Sequence, residues 1–296
     1  GARIMDKDFY NSSSSNKLGW KPQDFGCDDF DDNLVKAIKI FQKSVGIKAD
    51  GLCGPGTYRR LIAKKESEAE THKRYHAAES DNNHIICNGV QVPINWKKVL
   101  TYEDAGGLKL TSGYRRSSGL RDVKYFVNHW DVCLNSETCV KVLRKRGISV
   151  HFCIDNDGTI YQLMDANHIA YHAGGSKWNA ASVGVEISNS YYPKYQNWYK
   201  KNGYGERPIW KDKQVHGGKL GDFLGFYDVQ LEAAKALWQS IGSFYKIPLV
   251  GPKVADGVDP DSVKCNFRGI INHYNLKRSK IDCAGLDIDV LLKDIK

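Results

Sequence analysis

The amino-acid sequence predicts an α/β protein of the α+β kind, with a mixed central sheet flanked by helices and a small three-helix bundle before it. Two observations predict the sheet. The apolar run at residues 123–127 is typical of a buried strand, and residues 150–163 hold two alternating apolar stretches joined by an Asn-Asp-Gly turn signal. A third observation predicts the bundle, since apolar side chains recur at helical spacing within residues 34–41.

Composition divides the chain into three parts. The predicted parts are a helical module at residues 1–66, a charged linker at residues 67–83 and a larger domain at residues 84–296. A chain of 296 residues is long enough for one large domain beside a small one. The linker contains His72 and His76, but no third metal ligand or apolar support is nearby, so we interpret both as solvent-exposed.

Local signals predict the elements of the helical module. The serines at residues 12–15 predict a polar loop, and residues 31–33 offer a helix N-cap. Gly46 is predicted to end that helix. Thr57 is predicted to cap a last helix that runs to about Leu61.

The larger domain alternates strand and helix signals. In order they predict a short hairpin around the Asn-Gly at 88–89, a strand before residue 129, a helix at 137–146, the hairpin at 150–163, an amphipathic helix at 231–245 and a final helix at 286–295. The amphipathic helix is expected to cover the sheet.

The charge balance limits the classes of partner. Forty-three basic against 34 acidic residues give a net charge of +9, which suits an anionic partner. No nucleic-acid-binding motif accompanies this charge, so we expect no nucleic acid as partner. No apolar stretch approaches the length of a membrane span, and the start lacks a secretory signal. We therefore expect a protein that does not span a membrane and is made in the cytoplasm without a signal peptide.

Two histidines and one cysteine predict a zinc site on one face of the sheet. His129 lies two positions after the first apolar run, His273 lies two positions after a later one, and Cys283 lies ten positions further on. Two imidazoles and one thiolate suit Zn²⁺ and leave a fourth position for water. Asp282 is also a competent ligand, and adjacent side chains point apart, so only one of Asp282 and Cys283 can face the metal.

Six ordered segments carry further motifs. They are residues 126–129, the hairpin at 148–163, Ala-Tyr-His-Ala-Gly at 170–174, Ser-Val-Gly-Val-Glu-Ile at 182–187, Asn-His-Tyr at 272–274 and Cys-Ala-Gly at 283–285. Together they resemble the N-acetylmuramoyl-L-alanine amidase type 2 family, which includes phage endolysins, bacterial cell-wall recycling amidases and animal peptidoglycan recognition proteins. The resemblance covers roughly residues 84–296.

The resemblance bears on the third metal ligand. In the family this ligand is Asp or Cys, usually followed by Pro-Gly and often preceded two positions earlier by Lys. Cys283 lies at the expected spacing from His273 and is followed by Ala-Gly, so we predict Cys283 rather than Asp282. In that register isoleucine occupies the family's lysine position, and Lys280 lies one residue earlier.

The resemblance implies a zinc hydrolase that cleaves the amide bond between N-acetylmuramic acid and L-alanine of peptidoglycan. Glu186 is the predicted general base, because a carboxylate in an apolar strand is costly to bury without a purpose. Lys280 is the predicted assisting catalytic residue, and His172, Trp130 and Asn179 are the predicted substrate-binding residues.

The N-terminal part carries its own set of marks. Phe-Gln at 41–42, Asp-Gly at 50–51 and Gly-Pro-Gly-Thr at 54–57 occur in the order found in the small three-helix peptidoglycan-binding module, which this segment resembles. The resemblance implies wall binding, and an arbitrary helical cap is the alternative.

Three functional hypotheses follow. The first is a monomeric zinc amidase acting on bacterial peptidoglycan as a phage endolysin or autolysin. Such an enzyme would need a holin-like partner to reach the wall or would act on cytosolic muropeptides, and the wall-binding module favours the intact wall. The second is a catalytically silent recognition protein of the same fold; such members typically lose a ligand, whereas this chain keeps all three predicted ones. The third is a nucleic-acid-binding protein, which no motif supports.

Two features leave alternatives open. The aromatic-rich segment at residues 188–226 suits either sugar stacking or a self-packed surface loop. Cys133 and Cys139 have a spacing that occurs as a disulfide in the animal recognition proteins, but the lack of a secretion signal favours reduced thiols.

Overall fold

The computed structural model describes residues 6–69 and 83–295. The chain forms two compact units that divide between residues 71 and 72. His72, His76 and most of the predicted linker lie outside the described residues. The exact domain boundaries given above therefore stay a prediction.

Over residues 6–69, the first unit forms three α-helices and one short 3₁₀ helix. They are α1 (Lys7–Leu18), the 3₁₀ helix Pro22–Phe25, α2 (Asp32–Ser44) and α3 (Pro55–Glu68). The prediction of a polar loop at residues 12–15 was wrong, because these serines lie inside α1. The Asp6 carboxylate caps the start of α1, Gly19 ends it in the left-handed conformation, and the Ser15 hydroxyl donates to the Trp20 carbonyl at 2.5 Å.

Helix α2 agrees closely with its predicted bounds, whereas α3 begins earlier and ends later than predicted. Asp31 caps α2 through its side chain, as the sequence indicates. Helix α3 begins at Pro55 rather than after Thr57, and it continues to Glu68. Proline is favoured in the first turn of a helix, where no intrahelical partner is needed for its missing N–H.

The three sequence marks of this unit meet in one hydrogen-bond network. Gln42 is 1% exposed, and its side-chain nitrogen donates to Asp50 Oδ1 at 2.9 Å and to Thr57 Oγ1 at 3.1 Å. Its side-chain oxygen accepts from the Gly51 amide at 2.8 Å. Gly51 has φ +80°, and a Cβ there would lie 2.7 Å from a Val35 methyl group. The marks therefore maintain the fold of the unit.

The second unit is larger and contains all the strands described. Its strands are β1 (His84–Cys87), β2 (Val90–Pro93), β3 (Val99–Leu100), β4 (Tyr114–Arg115), β5 (Tyr125–Trp130), β6 (Phe152–Ile154), β7 (Ile160–Gln162), β8 (Ile169–Ala170), β9 (Ser182–Ile187), β10 (Ile209–Trp210), β11 (Gln214–Val215), β12 (Gly218–Lys219), β13 (Phe223–Leu224) and β14 (Gly269–Asn272). Its α-helices are α4 (Ser136–Arg146), α5 (Ser176–Ala180), α6 (Gln196–Lys201), α7 (Asp228–Tyr245), α8 (Pro260–Val263) and α9 (Ile288–Lys293). Two 3₁₀ helices, Pro193–Tyr195 and His273–Asn275, complete it.

A six-stranded mixed sheet forms the centre of this unit, in the order β14-β5-β9-β6-β7-β3. Neighbouring strands are parallel except for the β6–β7 hairpin. Helix α7 packs its Leu237, Trp238 and Ile241 into the main apolar core on one side of the sheet, as its amphipathic pattern predicts. The predicted fold class, a mixed sheet flanked by helices with an N-terminal helical region, is confirmed.

The parallel register brings three strand ends together. Asn128 of β5 pairs with Asn272 of β14, and His129 of β5 pairs with Glu186 of β9. His273 directly follows β14. Paired residues share a face of a sheet, and adjacent residues point to opposite faces. The side chains of His129 and Glu186 therefore lie on one face, and those of Asn128 and Asn272 lie on the other, all at the carboxyl ends of the strands.

The aromatic segment at residues 188–226 packs largely against itself and the core. Tyr195, Trp198 and Tyr199 are buried, and the rings of Tyr191 and Phe223 stack with centroids 4.9 Å apart. The buried Arg207 guanidinium lies between the rings of Tyr199 and Tyr227, 4.3 Å from each centroid. These contacts favour the self-packed alternative over sugar stacking.

Within the described parts of the chain, no helix combines the length and apolar character that crossing a membrane requires.

Replacing Gln42 by alanine should destabilise the first unit, because each buried partner left unsatisfied costs about 1–3 kcal/mol. We expect faster hydrogen exchange of the amides at residues 7–68 in the full chain, with exchange in the second unit unchanged. Lys43→Ala, an exposed change on the same helix, is the matched control and should leave the exchange rates as they are. Unchanged protection in Gln42→Ala would show that the network does not stabilise the unit.

Candidate active site

Three polar side chains converge at the ends of β5 and β14. His129 Nδ1 lies 3.0 Å from His273 Nδ1 and 3.0 Å from Asp282 Oδ2. His273 Nδ1 lies 3.1 Å from the same Asp282 oxygen. The three atoms therefore face one point, and these residues form a candidate metal-binding group.

Local structure holds each member of this group in place. His129 and His273 are presented by neighbouring parallel strands, and both are buried. Asp282 lies in the loop that follows, and the Tyr274 amide donates to the Asp282 carbonyl at 3.0 Å. This bond closes the loop against the residue next to His273.

Cys283, the predicted third ligand, lies elsewhere. Its side chain is fully buried in the main apolar core, together with Ala284 and Leu286. The prediction is therefore corrected by one residue, because adjacent side chains point apart and the apolar thiol takes the core side. Counting from Asp282, Lys280 falls two positions earlier, where the family resemblance places a lysine. That spacing was the sequence signal for Asp282.

Electrostatics favours the protonation states of His129 and Asp282 that suit binding of a metal ion. Burial, reinforced by the neighbouring His273, lowers the pKa of His129 to about 4, although Asp282 opposes this. Burial alone would raise the pKa of Asp282, but the two histidines hold it well below its usual range. His129 thus offers a neutral imidazole and Asp282 an ionised carboxylate.

This donor set fits a zinc ion. Zn²⁺ takes nitrogen and oxygen ligands at about 2.0–2.2 Å, and in a tetrahedron such ligands lie about 3.3 Å apart. The separations of 3.0 to 3.1 Å between the three atoms are close to that value. Three protein ligands would leave a fourth position for water.

Glu186 lies beside this group. It pairs with His129 across the parallel β5–β9 ladder and is half-buried, so its carboxylate shares a face of the sheet with the histidine. Its position suits a base that acts next to a metal-bound substrate.

The three predicted substrate-binding residues do not lie together in the structure. Trp130 is 3% exposed and packs against Tyr191 and Phe223 in the core, so its prediction was wrong: it follows His129 in the strand and therefore points to the opposite face. Asn179 lines the cavity described below, and its Oδ1 accepts from the His172 and Ala173 amides at 3.1 and 2.8 Å.

His172 lies next to the metal-binding group but uses both ring nitrogens internally. Its Nδ1 is 2.9 Å from His129 Nε2, and its Nε2 is 3.1 Å from Ser182 Oγ. The prediction that this ring stabilises an oxyanion or holds the peptide by a hydrogen bond is therefore not supported. His172 is nevertheless one of the residues that line the cavity.

A cavity of about 550 Å³ opens beside His273. Its lining includes Lys280, which is half-buried, and the cations Arg115 and Arg146. Among the residues that the structure describes, those lining the cavity include no aspartate or glutamate. The cavity therefore suits a ligand that carries negative charge.

Cys133 and Cys139 are buried free thiols in the structure. Cys139 lies within hydrogen-bonding reach of both Cys133 and Cys153. The structure thus agrees with the reduced state that the sequence favours.

The family assignment follows from a match over more than half of the chain. Residues 119–282 match the model of the N-acetylmuramoyl-L-alanine amidase family, and residues 16–61 match that of a putative peptidoglycan-binding domain. The chain belongs to the N-acetylmuramoyl-L-alanine amidase family. No curated protein matches the chain.

Solved structures of similar proteins include three amidases or endolysins. The AmiD amidase of E. coli, in complex with anhydro-N-acetylmuramic acid-L-Ala-D-γ-Glu-L-Lys, is 20% identical over 45% of this chain and 48% of its own, with a TM-score of 0.31. The amidase LysC of Clostridium intestinale is 15% identical over 67% and 97%, with a TM-score of 0.40. A mutant endolysin from Bacillus subtilis is 16% identical over 67% and 98%, with a TM-score of 0.37. The match thus spans about half of AmiD, and likenesses at this level say nothing about this chain's activity.

Variants at residues 282 and 283 test the composition of the metal group. After loading with Zn²⁺ and desalting, Asp282→Ala should contain no bound zinc, because it leaves two ligands where three are needed. Cys283→Ala removes the neighbouring side chain from the apolar core and is the matched control; it should keep one zinc ion per chain. Elemental analysis of both proteins measures this, and the reverse result would return the third ligand to Cys283.

Proposed function

We propose that this protein is a zinc-dependent amidase that hydrolyses the bond between N-acetylmuramic acid and L-alanine in peptidoglycan. The observation that carries the proposal is the convergence of His129, His273 and Asp282 beside Glu186 and an open cationic cavity. Membership of the amidase family supports it.

The proposed ligands are His129 Nδ1, His273 Nδ1 and one oxygen of Asp282. When bound there, zinc supplies Lewis acidity to the scissile carbonyl and to a water molecule. Neutral water is otherwise too poor a nucleophile for an amide, so this chemistry is what the group adds to the site.

Protons are handled by the protein. In the proposal Glu186 accepts a proton from the attacking water and returns it to the departing amine of L-alanine. Its place on the strand next to His129 supports this role. Lys280 lines the cavity together with His273. In the proposal its ammonium group stabilises the negative charge that develops on the carbonyl oxygen.

The cavity also suits the substrate. Peptidoglycan stem peptides carry free carboxylates, and the cations Arg115, Arg146 and Lys280 in the cavity lining complement them. The first unit, with its match to a putative peptidoglycan-binding domain, supports action on intact wall. We therefore propose an endolysin or autolysin role; the monomeric state, cytoplasmic synthesis and a holin-like partner stay predictions.

A catalytically silent recognition protein is the alternative function. Such a protein needs neither a complete metal group nor a base beside it. The convergence of three suitable ligand atoms with an adjacent carboxylate favours the enzyme.

Digestion of purified peptidoglycan tests the proposed activity. The zinc-loaded protein should release stem peptides with a new amino group on L-alanine and leave glycan strands with intact lactyl groups, as mass spectrometry will detect. Glu186→Gln should keep its zinc but lose about 10²- to 10⁴-fold in rate, the usual contribution of general acid–base catalysis.

Glu137→Gln is the matched control for this variant. Glu137 is a partly exposed helical residue paired with Lys141, and its replacement should leave the rate unchanged. Cleavage at any other bond would overturn the proposed reaction, and an unchanged rate in Glu186→Gln would remove Glu186 from the role of base.

Deletion of residues 1–66 tests the role of the first unit. Cleavage of small muropeptides should remain nearly intact, whereas solubilisation of intact sacculi should fall, because a tethered binding module raises the local concentration of substrate. Rates on both substrates at equal enzyme concentration provide the measurement. An equal loss on both substrates would mean that the unit supports the structure of the catalytic domain instead.

A further inference from the structure

A chain of hydrogen bonds leads from His129 into the interior. His129 Nε2 lies 2.9 Å from His172 Nδ1, and His172 Nε2 lies 3.1 Å from Ser182 Oγ. The Ser182 hydroxyl donates to the Trp178 carbonyl at 2.7 Å. The far nitrogen of His129, Nδ1, faces His273 and Asp282.

The direction of each bond follows from its fixed end. A carbonyl oxygen can only accept, so the single hydrogen of Ser182 points to Trp178. Ser182 Oγ must then accept from His172 Nε2–H, which leaves His172 Nδ1 without a hydrogen in the neutral ring. That nitrogen accepts from His129 Nε2–H. His129 Nδ1 is consequently left with a free lone pair directed at the candidate metal position.

The ring of His172 has little freedom to leave this arrangement. A Cβ at residue 184 would lie 2.5 Å from two of its ring atoms, so the glycine there makes room for the ring. The Asn179 side chain accepts from the backbone amide of His172 at 3.1 Å. The ring of His172 is therefore confined by the backbone at Gly184, and its main chain is held by Asn179.

The two candidate histidine ligands differ in whether their second ring nitrogen has a hydrogen-bond partner. Within residues 6–69 and 83–295, His273 Nε2 is buried and has no hydrogen-bond partner. Metal-binding histidines usually donate their second ring N–H to an acceptor that fixes tautomer and ring orientation. For His129, the acceptor of the second ring N–H is His172 Nδ1.

We propose that His172 and Ser182 are positioning residues, which fix the tautomer and orientation of His129 so that its Nδ1 is a ready-made metal ligand. This inference rests on the proposed metal site. In this proposal His172 orients His129 and does not hydrogen-bond to substrate. Ser182, a buried residue of β9, in turn orients His172.

Zinc affinity of the purified full-length protein tests the proposal, measured by competition with a chromophoric chelator. His172→Ala removes the acceptor for His129 and should weaken Zn²⁺ binding by about 10- to 100-fold, as losses of outer-shell partners do. His172→Asn should recover most of this loss, because its amide oxygen can take the place of Nδ1 as acceptor. Ser182→Ala should weaken binding by a smaller factor.

A double-mutant comparison tests whether Ser182 acts on His129 through His172, which we call the relay, or whether Ser182 and His172 affect zinc binding independently. Ser182→Ala should change the affinity in the parent protein but not in the His172→Ala background, since Ser182 acts only through that ring. Ser240→Ala is the matched control, because it deletes another buried hydroxyl that donates to a carbonyl, that of Pro93, and it should leave the affinity unchanged.

The outcomes distinguish this inference from the proposed function. If the parent protein binds no zinc, or binds it independently of Asp282, the metal site itself fails and the relay with it. If the parent binds zinc through Asp282 but His172→Ala binds it equally tightly, only the relay is overturned. Should His172→Ala not fold, an unchanged affinity in Ser182→Ala overturns the relay, and a loss there supports it.

Discussion

Parallel pairing of β5 with both β9 and β14 determines where the site side chains lie. A strand presents alternate residues to opposite faces, so a slip of one position would exchange His129 for Asn128 or Trp130. Asn128 fixes this register from the opposite face: its side-chain amide donates to the Ile271 carbonyl of β14 at 3.0 Å and accepts from Trp238 of α7 at 3.0 Å. A buried polar side chain thus aligns two strands and the covering helix, and the histidine next to it follows.

Much of the architecture was accessible from the sequence because it depends on local patterns. Apolar alternation and the Asn-Asp-Gly turn identified the β6–β7 hairpin, and helical spacing identified α2 and α7. The same patterns located His129 and His273, since both stand at the ends of apolar runs. The serines within α1 were misjudged because a run of small polar residues has no helical period. In the folded unit, Asn11 and Ser14 of this helix hydrogen-bond to the distant backbone of Gly51 and Cys53, contacts that no local pattern reveals.

The misassigned site residues have a different cause. Asp282 and Cys283 lie in an irregular loop, where no periodicity states which of two neighbours faces the metal group. Trp130 follows a site residue in sequence but occupies the other side of the sheet. The roles of His172 and Ser182 depend on contacts across strands and loops, and one sequence without a fold cannot supply such contacts.

Motif residues in both units serve largely internal purposes. Gln42 and Gly51 build the first unit, while Gly184 and Asn179 hold His172 in the second. Buried polar groups must find partners, so positions that demand one particular residue type often lie inside the protein rather than on its contact surface. A motif of this kind identifies a fold and the neighbourhood of a site more reliably than it identifies the atoms that touch a ligand.

Arg207 shows how firmly the aromatic segment belongs to the domain. Its guanidinium donates to the carbonyls of Gly225 and Ser188 at 2.9 and 2.8 Å, and it also contacts Gln230 and Asn156 of the main fold. Excising residues 188–226 would remove this guanidinium and leave the buried side-chain oxygen of Asn156 without its donor. The segment is therefore part of the packed domain, and any shorter or grafted loop at this place has to supply a new hydrogen-bond donor to that oxygen.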